Sequence, residues 1–438
     1  MDNKSMRLLV SLGLVVLLVC SWFTLISDTK KVHDAYQSQV DLARENLGAG
    51  LYEIALEHYN EAMAQRDSIE LRDEMAQVYK TYASTMVYEA FCEDMVADFP
   101  LEVKGYEHLV VLYRDTQALD TCFNYIETAG KRGLQSDLID AVAKELEYAY
   151  KLGRSAAVAV SAYSANICAV QYKSGQWSYV NTRGASVTGS YYLSAQPFDA
   201  AGLALVQLLD GRYALIDTTG KHISLSPETL KIEHCTPYMG NKMAVKYDGK
   251  YHYCDASFTE LFGAYDAAGS FNGGVAAVME GKKWGVINEN GEKVVDFIYD
   301  DVKLDEKGIA FRGDRAFVKQ NGEYILIDST GKRIGNEAWD DADVFNSDMI
   351  AAVQKNGKWA FIDAEGKVLT EFVYTEAKSF SNGMAAVKID EQWGYIRTDD
   401  YKVVIEPVFS EANDFSASGT AFVREGETWR LLRIYRLT

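Results

Sequence analysis

The sequence contains few prolines and lacks the common metal-binding and catalytic motifs. Among 438 residues there are five prolines, too few for long proline-rich linkers. The six cysteines contain no Cys-x-x-Cys pair and the six histidines contain no His-Glu-x-x-His, so the common zinc and redox motifs are lacking. Phosphate-binding glycine loops and the Gly-x-Ser-x-Gly of serine hydrolases are absent too. We therefore expect no cofactor, no metal and no catalytic residue, in a chain that is not an enzyme.

Two metal alternatives depend on which residues meet in space. His234, Cys235, His252 and Cys254 would supply four zinc ligands if their strands pair with each other. Two acidic clusters could attract calcium, although they lack the glycine-centred loop of a calcium site. They are Asp296, Asp300 and Asp301, and Asp340, Asp341 and Asp343.

Basic residues are outnumbered by acidic ones, giving a net charge of −19. An acidic chain repels phosphate backbones, so we expect no nucleic acid among its partners. A well-solvated surface is the simplest interpretation of this charge.

One long hydrophobic run, residues 8–26, holds 19 residues without a charge. A helix of that length spans roughly 28 Å, close to the thickness of a bilayer core. Because the run is long and lacks a small-x-small cleavage site, we predict an uncleaved anchor in contact with the lipid bilayer; a cleaved signal and a lipid on Cys20 are the alternatives. Lys4 and Arg7 favour a cytoplasmic N-terminus, which places the bulk of this single-pass chain outside the cytoplasm, at the cell membrane.

Residues 32–154 carry apolar side chains at three- and four-residue spacing, which predicts helices. Small Ala55 and Ala62 with Tyr59 between them suit a closely packed helical hairpin. This pattern resembles the tetratricopeptide repeat, although Tyr88 stands where that family has a small residue. The resemblance implies a concave groove for protein partners, and the alternative is a helical spacer.

The end of this helical pattern defines the predicted domains. Ser136–Asp137 would cap a last helix running to Leu152, since their oxygens accept from the free N–H groups of a helix start. The sequence then divides into a membrane anchor with its flanks at 1–31, a helical domain at 32–154 and a β domain at 155–438.

The second half of the chain repeats one pattern eight times. An aromatic residue recurs every 33 to 40 residues, with a valine six or seven residues before it and a core-type residue three residues after it. The aromatic residues are Trp177, Tyr213, Tyr251, Trp284, Tyr324, Trp359, Trp393 and Trp429. A fixed period in this range indicates units that bury their apolar faces by packing on their neighbours. We interpret the aromatic residues as structural anchors of the repeat rather than ligand platforms, because a binding aromatic would not need to recur in every unit.

Each unit reads as short strands joined by tight turns. Trp284–Ile287 forms one strand, and Asn288–Gly291 has the Asn and Gly that a tight turn requires. The dipeptides Trp284-Gly285 and Trp393-Gly394 resemble those of the WG-repeat family. This resemblance implies a bacterial repeat module of secreted or membrane proteins with no assigned enzymatic activity.

Three to four short strands in each unit suit a β-propeller blade. We therefore predict an α+β multidomain fold in which the β domain closes into a propeller of seven or eight blades, because a ring removes free sheet edges. The alternative is an open β-solenoid.

These features together predict a membrane-anchored binding protein that presents its β domain to a protein or glycan partner without catalysis. Loops that depart from the repeat, Asp305–Asp314 and Pro227–Asn241, are the predicted binding loops, since repeat proteins place specificity in such variation. One rival is a propeller-type glycan hydrolase of the cell envelope, which requires two carboxylates roughly 5 to 10 Å apart near the ring axis. The other rival is a structural spacer.

Overall fold

The computed structural model describes residues 30–435, which form a helical unit, 30–147 together with Tyr435, and a β unit, Tyr148–Ile434. The predicted membrane anchor at 8–26 lies outside the described residues. Within 30–435, no helix is both long and apolar enough to cross a membrane.

Seven helices make up the described part of the helical unit, with serine caps on three of them. The hydroxyls of Ser68, Ser84 and Ser136 each accept a hydrogen bond from the backbone N–H three residues on. The helices are α1 (described over 30–48), α2 (Tyr52–Gln65), α3 (Ile69–Tyr82), α4 (Thr85–Asp98), α5 (Lys104–Asp115), α6 (Leu119–Lys131) and α7 (Asp137–Glu145). The Ser136 cap is as predicted, but the last helix stops at Glu145 rather than Leu152.

The packing of the helices accounts for two features of the sequence. Ala55, Tyr59 and Ala62 are all buried on α2, as their spacing predicted. Tyr88 is large where a small residue was expected because it has a polar partner: its hydroxyl lies 2.7 Å from Nδ1 of buried His108, whose Nε2 lies 2.8 Å from Asp73. These contacts join α3, α4 and α5. The helical class is confirmed, while its assignment to the tetratricopeptide family stays a prediction.

The β unit consists of eight antiparallel sheets, or blades, that follow one another along the chain. Blade 1 contains β2 (Ala157–Val160), β3 (Ile167–Tyr172) and β4 (Trp177–Asn181), and blade 2 contains β5 (Ser194–Ala195), β6 (Leu203–Gln207), β7 (Tyr213–Asp217) and β8 (His222–Leu225). Blade 3 contains β9 (His234–Cys235), β10 (Met243–Tyr247), β11 (Lys250–Cys254) and β12 (Glu260–Tyr265). Blade 4 contains β13 (Ala267–Ala268), β14 (Val275–Glu280), β15 (Lys283–Asn288) and β16 (Lys293–Tyr299). Blade 5 contains β17 (Asp301–Val302), β18 (Ala316–Gln320) and β19 (Glu323–Ile327), and blade 6 contains β20 (Asp341–Ala342), β21 (Ala351–Lys355) and β22 (Lys358–Ile362). Blade 7 contains β23 (Glu376–Ala377), β24 (Met384–Ile389), β25 (Gln392–Arg397) and β26 (Val403–Phe409). Blade 8 contains β27 (Glu411–Ala412), β28 (Thr420–Glu425), β29 (Thr428–Ile434) and β1 (Tyr150–Gly153).

The repeat columns form the cores between blades. The recurring valine is at most 2% exposed in all eight units, and the residue three positions after the aromatic is at most 5% exposed. The valines are Val170, Val206, Val245, Val278, Val318, Val353, Val387 and Val423. Since each blade buries this column against its neighbour, the repeat period correctly predicted the core.

The ring is closed by a strand from the opposite end of the β unit. β1 pairs antiparallel with β29, from Tyr150 opposite Ile434 to Gly153 opposite Leu431. The closed propeller is confirmed with eight blades, and the open solenoid is not observed. This pairing also explains why α7 does not reach Leu152, and it assigns 148–154 to the β unit rather than to the predicted helical domain.

Candidate functional site

The central channel of the propeller contains a cavity of about 650 Å³. Its wall comes from the segments that follow the first strand of blades 1, 5, 6, 7 and 8. These short strands therefore line the channel, and their connections to the second strands surround its mouth. The volume is within the roughly 300–1,000 Å³ typical of small-molecule sites.

An insertion in blade 5 makes the channel asymmetric. In blade 7, two residues separate buried Ala377 from buried Phe380, whereas in blade 5 eight residues separate Val302 from Phe311. We call 303–310 the blade-5 loop. It forms part of the predicted binding loop Asp305–Asp314, which the structure places at the channel.

The blade-5 loop crosses from its own blade to blades 1 and 4. Its three cross-blade hydrogen bonds run from Ala162 N to the Glu306 carboxylate (2.6 Å), from Lys307 Nζ to Ser164 Oγ (2.9 Å) and from Ser270 N to Gly308 O (2.6 Å). Burial lowers the pKa of Lys307, the first cause being loss of water and the next the charge of Arg312. The loop is fixed at both sides, so the remaining cavity faces blades 6 to 8.

Asp305 holds the blade-5 loop in shape. Its Oδ1 accepts from the backbone N–H groups of Lys307 (2.8 Å) and Ile309 (2.9 Å), and its Oδ2 pairs with Arg312 at 2.5 Å. A carboxylate that binds two backbone donors and a guanidinium gives the turn a defined conformation.

Blades 6 to 8 form a continuous polar wall. Asp343 accepts from Ser379 N at 2.8 Å, which joins blades 6 and 7. Lys378 donates from Nζ to Asn413 Oδ1 at 3.0 Å, which joins blades 7 and 8. These contacts fix the polar groups facing the cavity before any ligand enters.

Asp414 is the most perturbed acid on this wall. Asn346, two blades away, donates to its Oδ2 at 3.1 Å. Its Oδ1 has no hydrogen-bond partner among residues 30–435, although the residue lines the cavity. Removal from water, together with the charges of Asp343 and Glu306, raises the pKa of Asp414 to about 7, and Lys378 opposes this rise. Burial raises the pKa of Asp343 as well.

The second predicted binding loop, Pro227–Asn241, lies elsewhere. Its first part, from Pro227 to Glu233, lines a separate cavity of about 600 Å³ between blades 2 and 3, together with Asp210–Tyr213. The two predicted loops therefore do not form one site.

The eight aromatic anchors all lie at the start of the third strand of a blade or one residue into it. Tyr213, Tyr324, Trp393 and Trp429 are buried, and the other four are partly buried. Trp359 contributes to the wall of the channel cavity. Their role as packing anchors stays a prediction.

The zinc alternative required pairing between strands that the structure separates. β10 lies between β9, with His234 and Cys235, and β11, with His252 and Cys254. Both cysteines are buried, whereas His234 lies 3.2 Å from the Tyr251 hydroxyl and His252 lies 3.1 Å from Glu260. In the part of the chain that is described, no three His, Cys, Asp or Glu side chains cluster closely enough to hold a metal ion.

Sequence reasoning named Asp343 only as part of an acidic cluster that could attract calcium, and it missed Asp414. A usable signal existed, because each follows the short first strand of its blade directly or after one residue. At the position directly after that strand the eight blades carry Ser161, Gln196, Thr236, Gly269, Lys303, Asp343, Lys378 and Asn413. Charged residues at this position occur in blades 5 to 7, beside the cavity.

The fold and channel define a closed eight-bladed β-propeller with a charged, one-sided channel cavity. Five stretches of the chain match the family model described as WG containing repeat: residues 263–284, 284–324, 338–359, 359–393 and 393–429. The β unit therefore contains WG repeats, as Trp284-Gly285 and Trp393-Gly394 indicated.

Solved structures that match this chain include BamB from Moraxella catarrhalis, at 10% identity and a TM-score of 0.41, covering 66% of this chain and 94% of that one. Kluyveromyces lactis Hsv2p matches at 12% identity and a TM-score of 0.39, covering 57% and 96%. The N-terminal domain of stress-induced protein-1 from C. elegans matches at 17% identity and a TM-score of 0.23, covering 26% and 95%. Likeness at this level says nothing of what this chain binds. No curated protein matches the sequence.

Proposed function

We propose that this chain is a membrane-anchored binding protein whose propeller holds a partner at the channel mouth and catalyses no reaction. The observation that carries the proposal is the channel cavity, which the blade-5 loop narrows on one side and a pre-formed polar wall bounds on the other. Polar groups fixed in advance in a concave site are the usual basis of specific recognition.

The proposed partner is a protein or a glycan, and residues 8–26 hold the chain in the bilayer with the propeller outside the cytoplasm. The helical unit either adds a second protein-binding surface or acts as a spacer. Protease treatment of intact cells that carry a C-terminally tagged chain tests the orientation. Loss of the tag agrees with an external propeller, and its survival until lysis contradicts it.

Site-specific photo-crosslinking tests the binding role. A photoreactive amino acid replaces exposed Ala417 at the cavity rim or, as a matched control, exposed Asp390 in the hairpin at the opposite end of blade 7. Illumination of cells that express the full chain is expected to give a discrete adduct with the Ala417 variant and none with the Asp390 variant. Equal adducts from both positions, or none from either, would contradict a partner at the channel mouth.

The glycan hydrolase is the second candidate, because Asp343 and Asp414 lie on one cavity wall as a pair of catalytic carboxylates would. Against it, both oxygens of Asp343 accept from backbone N–H groups, those of Val344 (2.9 Å) and Ser379 (2.8 Å). A carboxylate so occupied is poorly placed to act as nucleophile or base. Release of reducing ends from peptidoglycan by the wild type, lost in both Asp343→Asn and Asp414→Asn, would favour the hydrolase over the binding protein.

A further inference from the structure

The cavity wall carries more acidic than basic side chains. Of its charged side chains, four are cationic and five are anionic. Two ion pairs each neutralise one cation and one anion: Lys303 pairs with Asp341 and Arg312 pairs with Asp305, both at 2.5 Å. When Asp414 is ionised, above its pKa of about 7, the unpaired remainder has one more negative than positive charge.

The two unpaired ammonium groups are those of Lys307, which donates to Ser164, and Lys378. The positive charge of Lys378 opposes the rise in the pKa of both Asp343 and Asp414. Its Nζ donates a hydrogen bond to Asn413 rather than to either carboxylate. Glu306, from the blade-5 loop, adds a third negative charge that acts on Asp414. A buried site with unbalanced charge favours a ligand that supplies the missing sign.

Asp414 provides the contact point. Its Oδ2 is occupied by Asn346, whereas Oδ1 has no partner in the described chain and lies at the cavity. A carboxylate oxygen without a partner that faces a cavity binds strongly to an N–H donor that carries a positive charge. A metal ion is a weaker fit, since the described residues hold no group of three ligands close enough to coordinate one.

We propose that the channel cavity binds its ligand through a primary ammonium or guanidinium group placed against Oδ1 of Asp414. The group belongs either to a free amine or to a lysine or arginine side chain of a protein partner. This inference deepens the proposed binding function and rests on it. Asp343 and Glu306 provide the surrounding negative potential, and the blade-5 loop limits the depth to which the cationic group enters.

Titration calorimetry on the full chain at pH 8, where Asp414 is ionised, tests the proposal with two probes. One is spermidine, and the other is a lysine-containing pentapeptide with blocked termini; the same peptide with acetylated lysine is the neutral control. The variant is Asp414→Asn, which keeps the shape and the contact with Asn346. The matched control is Asp390→Asn, an exposed site in the hairpin at the opposite end of blade 7.

At least one cationic probe is expected to bind the wild type, and Asp414→Asn is expected to raise its Kd about tenfold or more, the usual effect of removing a charged hydrogen bond. Asp390→Asn should leave Kd unchanged. Binding of spermidine identifies a free amine as the source, whereas binding of the lysine peptide alone identifies a protein side chain. The proposal is overturned if neither probe binds, if the acetylated peptide binds as well, or if Asp414→Asn binds like the wild type.

Crosslinking from Ala417 separates this inference from the function on which it rests. If the adduct persists undiminished in Asp414→Asn and no amine binds, the ammonium site is refuted while the binding function stands. If the adduct is absent in the wild type too, both fail.

Discussion

Replacing Asp414 with asparagine should make the propeller more stable at neutral and alkaline pH. The substitution removes the one negative charge and keeps an oxygen in place to accept from Asn346. In the wild type this carboxyl group must give up its proton at high pH while partly buried and under the influence of the charges of Asp343 and Glu306. The neutral amide avoids that penalty.

The magnitude follows from the pKa. Burial raises the pKa of Asp414 from 3.8 to about 7, so the folded state keeps a proton that the unfolded state releases. The stabilisation from this proton is complete below about pH 4 and is lost as the pH rises through about 7. At about 1.4 kcal/mol for each pKa unit, the upper limit is roughly 4 kcal/mol. Since Oδ1 has access to the cavity, we expect about 1 to 3 kcal/mol.

Urea unfolding followed by tryptophan fluorescence measures this difference. Six of the seven tryptophans lie in the propeller, so the signal reports on that unit. Asp414→Asn and wild type should have similar free energies of unfolding at pH 4 and should diverge up to pH 8, with the variant more stable. Parallel pH profiles, or a wild type that is more stable at pH 8, would refute the account of Asp414 as a buried, charge-surrounded acid.

Three further changes test other parts of the chain. Leu432→Ala removes a fully buried side chain from β29, the strand that pairs with β1 to close the ring. It should lower the free energy of unfolding by about 2 to 5 kcal/mol in the same fluorescence assay. A loss below about 1 kcal/mol would contradict tight packing where the ring closes. Asp400→Asn should have the opposite pH dependence to the Asp414 change, because Arg397 holds the pKa of Asp400 low. The ion pair therefore stabilises the wild type at neutral pH, and this stabilisation is lost in acid. An equal effect of the substitution at pH 2 and pH 7 would contradict the pairing. Tyr88→Phe deprives His108 of its buried partner and should destabilise the helical unit by about 1 to 3 kcal/mol, followed by circular dichroism at 222 nm; an unchanged midpoint would show that the bond contributes nothing.

The fold was predictable wherever structure depends on a local period. The valine column and the residue three positions after each aromatic are buried in every blade because each unit repeats the same local contacts. The closing strand was not predictable in this way. Tyr150–Gly153 pairs with residues more than 270 positions away, and nothing in its own four residues distinguishes a strand from the end of a helix.

The candidate site depends on the ring in a similar way. Asp343 and Asp414 are 71 positions apart in sequence, and they share a cavity because blades 6 and 8 face the same channel. Their effect on each other, and therefore the raised pKa of Asp414, follows from the number of blades and the closure. A list of 63 acidic residues does not contain that information. The departure of the blade-5 loop from the repeat was visible, but its contacts with blades 1 and 4 were not.

An eightfold repeat by itself gives a channel with similar surroundings in every direction, and such a channel has no preferred orientation for a ligand. Here the blade-5 loop breaks the symmetry by covering the side of blades 1 and 4, which leaves the polar groups of blades 6 to 8 as the exposed wall. The loop also brings Glu306 to that wall, where its negative charge acts on Asp414. If the loop has this role, deleting 303–308 should keep the propeller folded, since buried Ile309 and Ala310 remain as the two residues between Val302 and Phe311. The deletion removes Glu306 and should weaken amine binding as Asp414→Asn does. A shortened variant that is folded and binds amines as tightly as the wild type would show that the wall of blades 6 to 8 suffices without the loop.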